Sequence, residues 1–147
     1  MTILNERIVL DTNIWIFGLR QHPQVPACAR LLDWLGQLHV VLPRQVLKEL
    51  QANLSRDELA TLCRLLNHFP DRILLRWNKA DLETIRKYQR LGCKLGDAAV
   101  AAHLEELGLG VLVTENRHFL REVENLPFRT INTHHALEEM RGSSLSR

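Results

Sequence analysis

The sequence predicts a three-layer α/β/α sandwich around a mainly parallel central sheet of about five strands. Short unbroken apolar runs, Ile8-Val9-Leu10, Val40-Val41-Leu42 and Val111-Leu112-Val113, read as strands buried on both faces of a parallel sheet. Between them lie stretches with apolar residues three and four apart, the spacing of amphipathic helices. Strand and helix alternate along the chain, the order that folds into parallel βαβ units.

At 147 residues the chain is about one domain long. Residues 1–141 are expected to form that domain, with residues 142–147 as a disordered tail. Hydrophobic residues make up 46% and charged residues 24%, which is ordinary for a soluble globular protein. No apolar run reaches the roughly 18 residues of a membrane span, and the N-terminus has neither the basic flank nor the apolar core of a signal peptide. A cytoplasmic protein with no membrane partner is therefore expected. The net charge of +2, from 19 basic and 17 acidic residues, is too slight to argue for nucleic acid by itself. Cys28, Cys63 and Cys93 are odd in number and include no Cys-x-x-Cys pair, so they carry no zinc or redox signature. Cys28 and Cys63 lie at helical spacing from leucines and read as buried, reduced thiols.

The first strand runs directly into Asp11-Thr12-Asn13. In an open α/β sheet ligands bind outside the carboxyl ends of the strands, so Asp11 stands where a site would be. The same residue types also make turns and cap helices. Residues 14–19 predict one or two helical turns under the sheet, bracketed by Gly18 and Pro23. Pro26 suits the first turn of a helix whose apolar face is Cys28, Leu31, Leu32, Leu35 and Leu38.

Pro43 stops the second strand, and the helix predicted over 44–54 buries Val46, Leu47, Leu50 and Leu54 with Glu49 toward the margin of that face. Ser55 begins another helix, with Glu58 completing a capping box and Leu59, Leu62, Cys63 and Leu66 as its buried stripe. Ile73-Leu74-Leu75 is a third strand. The helix over 81–90 buries Leu82, Ile85 and Tyr88, and Gly92 closes it. Asp97 is expected at or near the N-cap of a helix apolar nearly all round, whose alanines permit close approach to neighbouring backbone. Gly108 and Gly110 precede the strand Val111-Leu112-Val113, which ends in Thr114-Glu115-Asn116-Arg117-His118-Phe119. A last strand around 128–131 leads into a C-terminal helix.

Polar signals thus gather at one edge of the predicted sheet. Asp11 ends one strand, Thr114, Glu115 and Asn116 end another, Asp97 begins the helix leading into the latter, and Glu49 joins them if its helix ends nearby. Several carboxylates in a partly buried site repel one another, and a divalent cation relieves the repulsion. Carboxylate and amide oxygens are hard ligands, which suits Mg²⁺ or Mn²⁺ better than zinc. Such a set serves phosphodiester hydrolysis, with one or two metals. Residues 11–18 hold a single glycine, so no Gly-rich phosphate loop follows the first strand.

Val9-Leu10-Asp11-Thr12-Asn13, Val46-Leu47-Lys48-Glu49-Leu50, Gly96-Asp97-Ala98-Ala99-Val100-Ala101-Ala102 and Val113-Thr114-Glu115-Asn116-Arg117-His118-Phe119, in that order, resemble a PIN domain. Each motif alone is weak, and the four together span nearly the whole chain. The resemblance implies a metal-dependent ribonuclease, commonly the VapC toxin of a toxin–antitoxin pair, acting as a homodimer on RNA and held in check by a small antitoxin protein. It implies that Asp11, Glu49 and Asp97 bind the metal, directly or through water. A fourth acid of the family pattern is replaced by Asn116, so Asn116 or the adjacent Glu115 is expected to complete the shell. Thr12, Asn13 and Thr114 match small polar residues that steady the site.

Lys94, Arg117 and His118 are candidate phosphate contacts, each of which also reads as an ordinary loop residue. His134-His135 lacks metal-ligand spacing, and Trp15, Trp34 and Trp77 read as core or interface. The Asn116 departure supports an alternative: a PIN-like module that binds RNA or protein without cutting.

Overall fold

Nothing in the apolar run Ile8-Val9-Leu10 meets solvent, because the strand that carries it lies in the middle of a five-stranded sheet. The computed structural model describes residues 3–122 and 125–145. Its strands are β1 (Arg7–Leu10), β2 (His39–Pro43), β3 (Ile73–Arg76), β4 (Val111–Val113) and β5 (Arg129–Ile131), in the order β3-β2-β1-β4-β5. Every pairing is parallel, with Ile8 opposite both Val40 and Val111, and Leu10 opposite Val113. Chain order therefore reverses across β1, which puts a topological switch point between β1 and β4 at their carboxyl ends.

The helices are α1 (Thr12–Leu19), α2 (Pro26–Leu32), α3 (Arg44–Asn53), α4 (Arg56–His68), α5 (Leu82–Arg90), α6 (Leu95–Glu106) and α7 (Thr133–Leu145). They flank the sheet as the expected three-layer sandwich. α1 packs on α2 and α3, α2 on α7, α5 on α6, and α3 also touches α6. Helix α3 thus bridges two helical groups, which decides where Glu49 can reach. The core gathers the strand residues with Trp15, Leu31, Leu50, Tyr88 and Phe119. Ala98, Ala101 and Ala102 let α6 lie buried against its neighbours.

Local signals behave as their chemistry requires. Ser55 accepts from the Glu58 N–H while the Glu58 carboxylate accepts from the Ser55 N–H, closing the capping box of α4. Gly92 adopts φ +100° after α5, a conformation that disfavours any residue with a Cβ.

Several expectations are corrected. The helix from Pro26 stops at Leu32, and Leu35 and Leu38 reach the core from a separate 3₁₀ turn, Leu35–Gln37, and its flank. Gly36 in that turn lies against the Phe69 ring, where a Cβ would come within 3.1 Å of it. Cys63 is exposed rather than buried, because α4 buries only a narrow stripe centred on Leu62. Leu82 is 57% exposed, since it begins α5 at the rim of a cavity. Asp97 does lie near the start of its helix, as the third residue of α6, whose N-cap is Lys94. Residues His118–Glu122 form a π-helical turn. α7 runs on to Leu145, through residues expected to begin a tail, because one glycine costs a helix only about 1 kcal/mol and no proline follows; residues 146–147 lie outside the described residues.

Candidate active site

The ladders on both sides of β4 continue one residue past the strands: toward β1 the Asp11 N–H donates to the Val113 carbonyl at 2.9 Å, and toward β5 the Thr114 N–H donates to that of Ile131 at 2.9 Å. This pins Asp11 and Thr114 side by side at the switch point. Asp11 Oδ1 accepts from the Thr12 N–H at 2.8 Å, so Asp11 is the N-cap of α1. The cap uses one oxygen. Oδ2 accepts from the Thr114 hydroxyl at 2.7 Å, and that hydroxyl in turn accepts from the Asn116 N–H at 3.0 Å.

Glu49 sits on α3, one turn after Gln45. Its Oε1 accepts from Gln45 Nε2 at 2.9 Å, and Oε2 accepts from the Thr12 hydroxyl at 2.5 Å. α6 approaches this carboxylate through Gly96, where a Cβ would stand 2.8 Å from Glu49 Oε1. The glycine keeps space that any side chain would take from the acid. Sequence reasoning assigned Gly96 no role; its place one residue before a site acid was the available signal.

Asp97, next along α6, accepts from Asn116 Nδ2 at 3.0 Å through Oδ2, while Asn116 Oδ1 accepts from the His118 N–H at 3.0 Å. The two bonds together orient the amide, since the backbone donor requires the oxygen on its side. Asp97, Asn116, Lys94, His118 and Gly92 line a cavity of about 250 Å³. The three acids thus come from three elements, and each is held by a neutral donor from another: Thr114 for Asp11, Thr12 for Glu49, Asn116 for Asp97.

Electrostatics match this gathering. Asp11 is pushed up to about 6, chiefly by burial, against the Thr114 and Thr12 hydrogen bonds and with added repulsion from Asp97 and Glu49. Asp97 is also raised, first by burial and then by Glu49, with the Asn116 bond, His118 and Lys94 opposing.

Other expected residues lie elsewhere. Glu115 does not join the cluster: its Oε1 accepts from the Thr133 N–H at 2.9 Å and from the Thr133 hydroxyl, so it serves the N-terminus of α7, where a carboxylate complements the helix dipole. Asn116 turns a donor, not an oxygen, toward Asp97. Asn13 is exposed on the first turn of α1 with no side-chain hydrogen bond among the described residues, and Arg117 is exposed. Lys94 and His118 do reach the cavity of Asp97.

Among the described residues no three His, Cys, Asp or Glu side chains stand close enough to grip a metal ion between them. The donors nevertheless suit a hard cation. They are carboxylate oxygens that repel one another in a partly buried place, and Mg²⁺ keeps several waters and needs only one or two direct carboxylates. No described helix is long and apolar enough to cross a membrane.

The model of the PIN domain family matches residues 8–125. No curated protein matches the sequence. Solved structures similar in fold include two that overlap most of this chain. One is a crystal structure of VapBC2 from Rickettsia felis bound to a DNA fragment from its promoter, with TM-score 0.58, 21% identity, and coverage of 86% of this chain and 98% of that one. The other is PAE2754 from Pyrobaculum aerophilum, with TM-score 0.60, 18% identity, and coverage of 97% and 99%.

Proposed function

The chain belongs to the PIN domain family, and from that premise we propose that it is a metal-dependent endoribonuclease and the toxin of a type II toxin–antitoxin pair. The observation that carries the reading is the set of three acids at the switch point, each braced by its own neutral donor, with Asp11 and Asp97 both raised first by burial and then by repulsion from neighbouring acids. Burial of this kind without an ion pair is costly, and a cation offsets it.

Asp11, Glu49 and Asp97 would hold Mg²⁺ or Mn²⁺, directly or through water. The bound ion supplies charge to the phosphoryl oxygen and acidity to the attacking water. Thr114, Thr12 and Asn116 keep the three carboxylates in place, so little reorganisation accompanies the reaction. Asp97 Oδ1 carries no hydrogen bond among the described residues and is the oxygen left to bind or to take a proton. Lys94 and His118, facing the same cavity, meet the phosphate. No covalent intermediate on the enzyme is required.

The likeness to VapBC2 supports a small antitoxin as partner, and the reading as a toxin of this family carries with it a cytoplasmic homodimer. The alternative, a PIN-like module that binds RNA or protein without cutting, draws on Asn116, which offers Asp97 a donor where the family pattern has an acid. The deciding experiment is cleavage of labelled single-stranded RNA with Mg²⁺, Mn²⁺ or EDTA, beside Asp97→Asn. The nuclease reading expects cleavage that needs metal and is lost in the variant. If both proteins are folded and equally inert on several RNAs, the binding module takes its place.

A further inference from the structure

A second cavity, of about 410 Å³, opens beside the carboxylates and shares a wall with them. Gln45 lines it and also donates to Glu49 Oε1. Ala99, another lining residue, lies on α6 two residues beyond Asp97.

Its chemistry is two-sided. Arg44 and Lys48 on α3 and Lys79 before α5 stand around it, no carboxylate lines it, and none of the three cations is within salt-bridge distance of an acid among the described residues. Between them the lining is largely apolar, with Ala80, Leu82, Ile85 and Ala99, joined by His103 from α6. Trp77 extends the hollow: it is 50% exposed, with the Arg44 guanidinium 4.9 Å from its ring centre and Arg44 Nη1 donating to its carbonyl at 3.4 Å.

Unpaired cations beside an apolar hollow and an exposed indole suit a polyanion that also carries flat apolar groups. Single-stranded nucleic acid is that polymer, because its phosphates neutralise cations and its unstacked bases lie on aromatic and apolar surface. We propose that the cleft between α3, α5 and α6 binds a single-stranded segment of the RNA substrate, with phosphates on Arg44, Lys48 and Lys79 and a base against Trp77 and the apolar floor. The strand then passes Gln45 to reach the acids. The proposal rests on the ribonuclease reading and adds the track by which substrate arrives.

The test separates binding from cleavage. Binding of a labelled oligouridine of roughly ten nucleotides is measured by fluorescence anisotropy in EDTA, between about 50 and 200 mM salt. The wild type should show affinity falling steeply with salt. Lys48→Ala with Lys79→Ala removes two phosphate contacts, so the slope of log K against log salt should flatten by about 1.4, at about 0.7 per contact on a single strand. The double arginine variant, Lys48→Arg with Lys79→Arg, should restore it. Trp77→Ala should weaken binding roughly 5- to 100-fold with the slope unchanged. Arg56→Ala, outside the cleft, should alter neither. All four substituted residues are at the surface, so melting temperatures should stay near wild type.

Slope and affinity unchanged in the double alanine and Trp77→Ala variants would overturn the assignment. Cleavage of the same RNA with Mn²⁺, run in parallel, keeps the two readings apart: a wild type that cleaves without using the cleft sinks only the cleft, and one that binds through the cleft but never cleaves sinks only the nuclease. Binding of a polyglutamate peptide that is lost in the double alanine variant, with RNA binding intact, would give the cleft to an acidic protein segment instead.

Discussion

The Asn116 side chain spans two neighbours, its amide nitrogen donating to Asp97 Oδ2 at 3.0 Å and its oxygen accepting from the His118 N–H at 3.0 Å. A carboxylate at this position could keep the second bond but not the first, and would set a like charge against Asp97. Without metal, Asn116→Asp should therefore lose roughly 2 kcal/mol of stability, the scale of a hydrogen bond to a charged group. Mn²⁺ should return more stability to this variant than to the wild type, because a fourth acid joins the set. Urea unfolding with EDTA and with Mn²⁺ measures both; equal metal gains in the two proteins would contradict the account.

Asp11 makes metal-free stability depend on pH. Its folded value of about 6 lies above the ordinary 3.8, so the folded state holds the proton more tightly than the unfolded chain. The sign follows: this contribution is full below about pH 4 and is lost as pH rises through about 6. Two pH units correspond to about 3 kcal/mol. Asp11→Asn, which never ionises, should be more stable than the wild type at pH 8 in EDTA by about 1–3 kcal/mol, with the gap closing near pH 4. Denaturant unfolding at both pH values tests this, and a gap independent of pH would argue against the buried charge.

Gly96→Ala separates site geometry from stability. An alanine inside a helix ordinarily gains up to about 1 kcal/mol over glycine. Here its Cβ meets Glu49 Oε1 at 2.8 Å and must push the acid away from Thr12. Cleavage should fall about 10- to 100-fold, as displacements near 1 Å in an active site do, while the melting temperature moves little. Full activity in the variant would show that Glu49 has room to move.

Thr114→Val keeps the shape of a buried side chain and removes its hydroxyl. That hydroxyl donates to Asp11 Oδ2 and accepts from the Asn116 N–H, so two polar groups lose their partner. A loss of about 2–4 kcal/mol is expected, together with a further rise in the Asp11 pKa. Thermal or urea unfolding and NMR titration of the carboxyl carbon are the measurements.

Much of this molecule was legible along the chain because the signals are local. The run Ile8-Val9-Leu10 marks a strand with neighbours on both sides, the Ser55 and Glu58 pair marks the start of α4, and Asp11 and Thr114 mark where two strands end. Parallel pairing of β1 with β4 then brings those ends together, which is why Asp11 and the polar residues after β4 could be assigned to one edge from the sequence.

What tertiary structure decided is the partner of each polar side chain. Glu115 and Asn116 are adjacent in sequence, yet one turns to Thr133 at the start of α7 and the other to Asp97 on α6. Gly96 matters because α3 brings Glu49 against it, Cys63 and Leu82 escape burial because no element covers them, and Arg44, Lys79 and Trp77 meet only where α3 passes the end of β3. Periodicity says which face of an element is apolar and where it stops. The donor that a carboxylate finds across 37 residues, as Glu49 finds Thr12, or across 103, as Asp11 finds Thr114, depends on how whole helices pack, and no local pattern in the sequence carries that information.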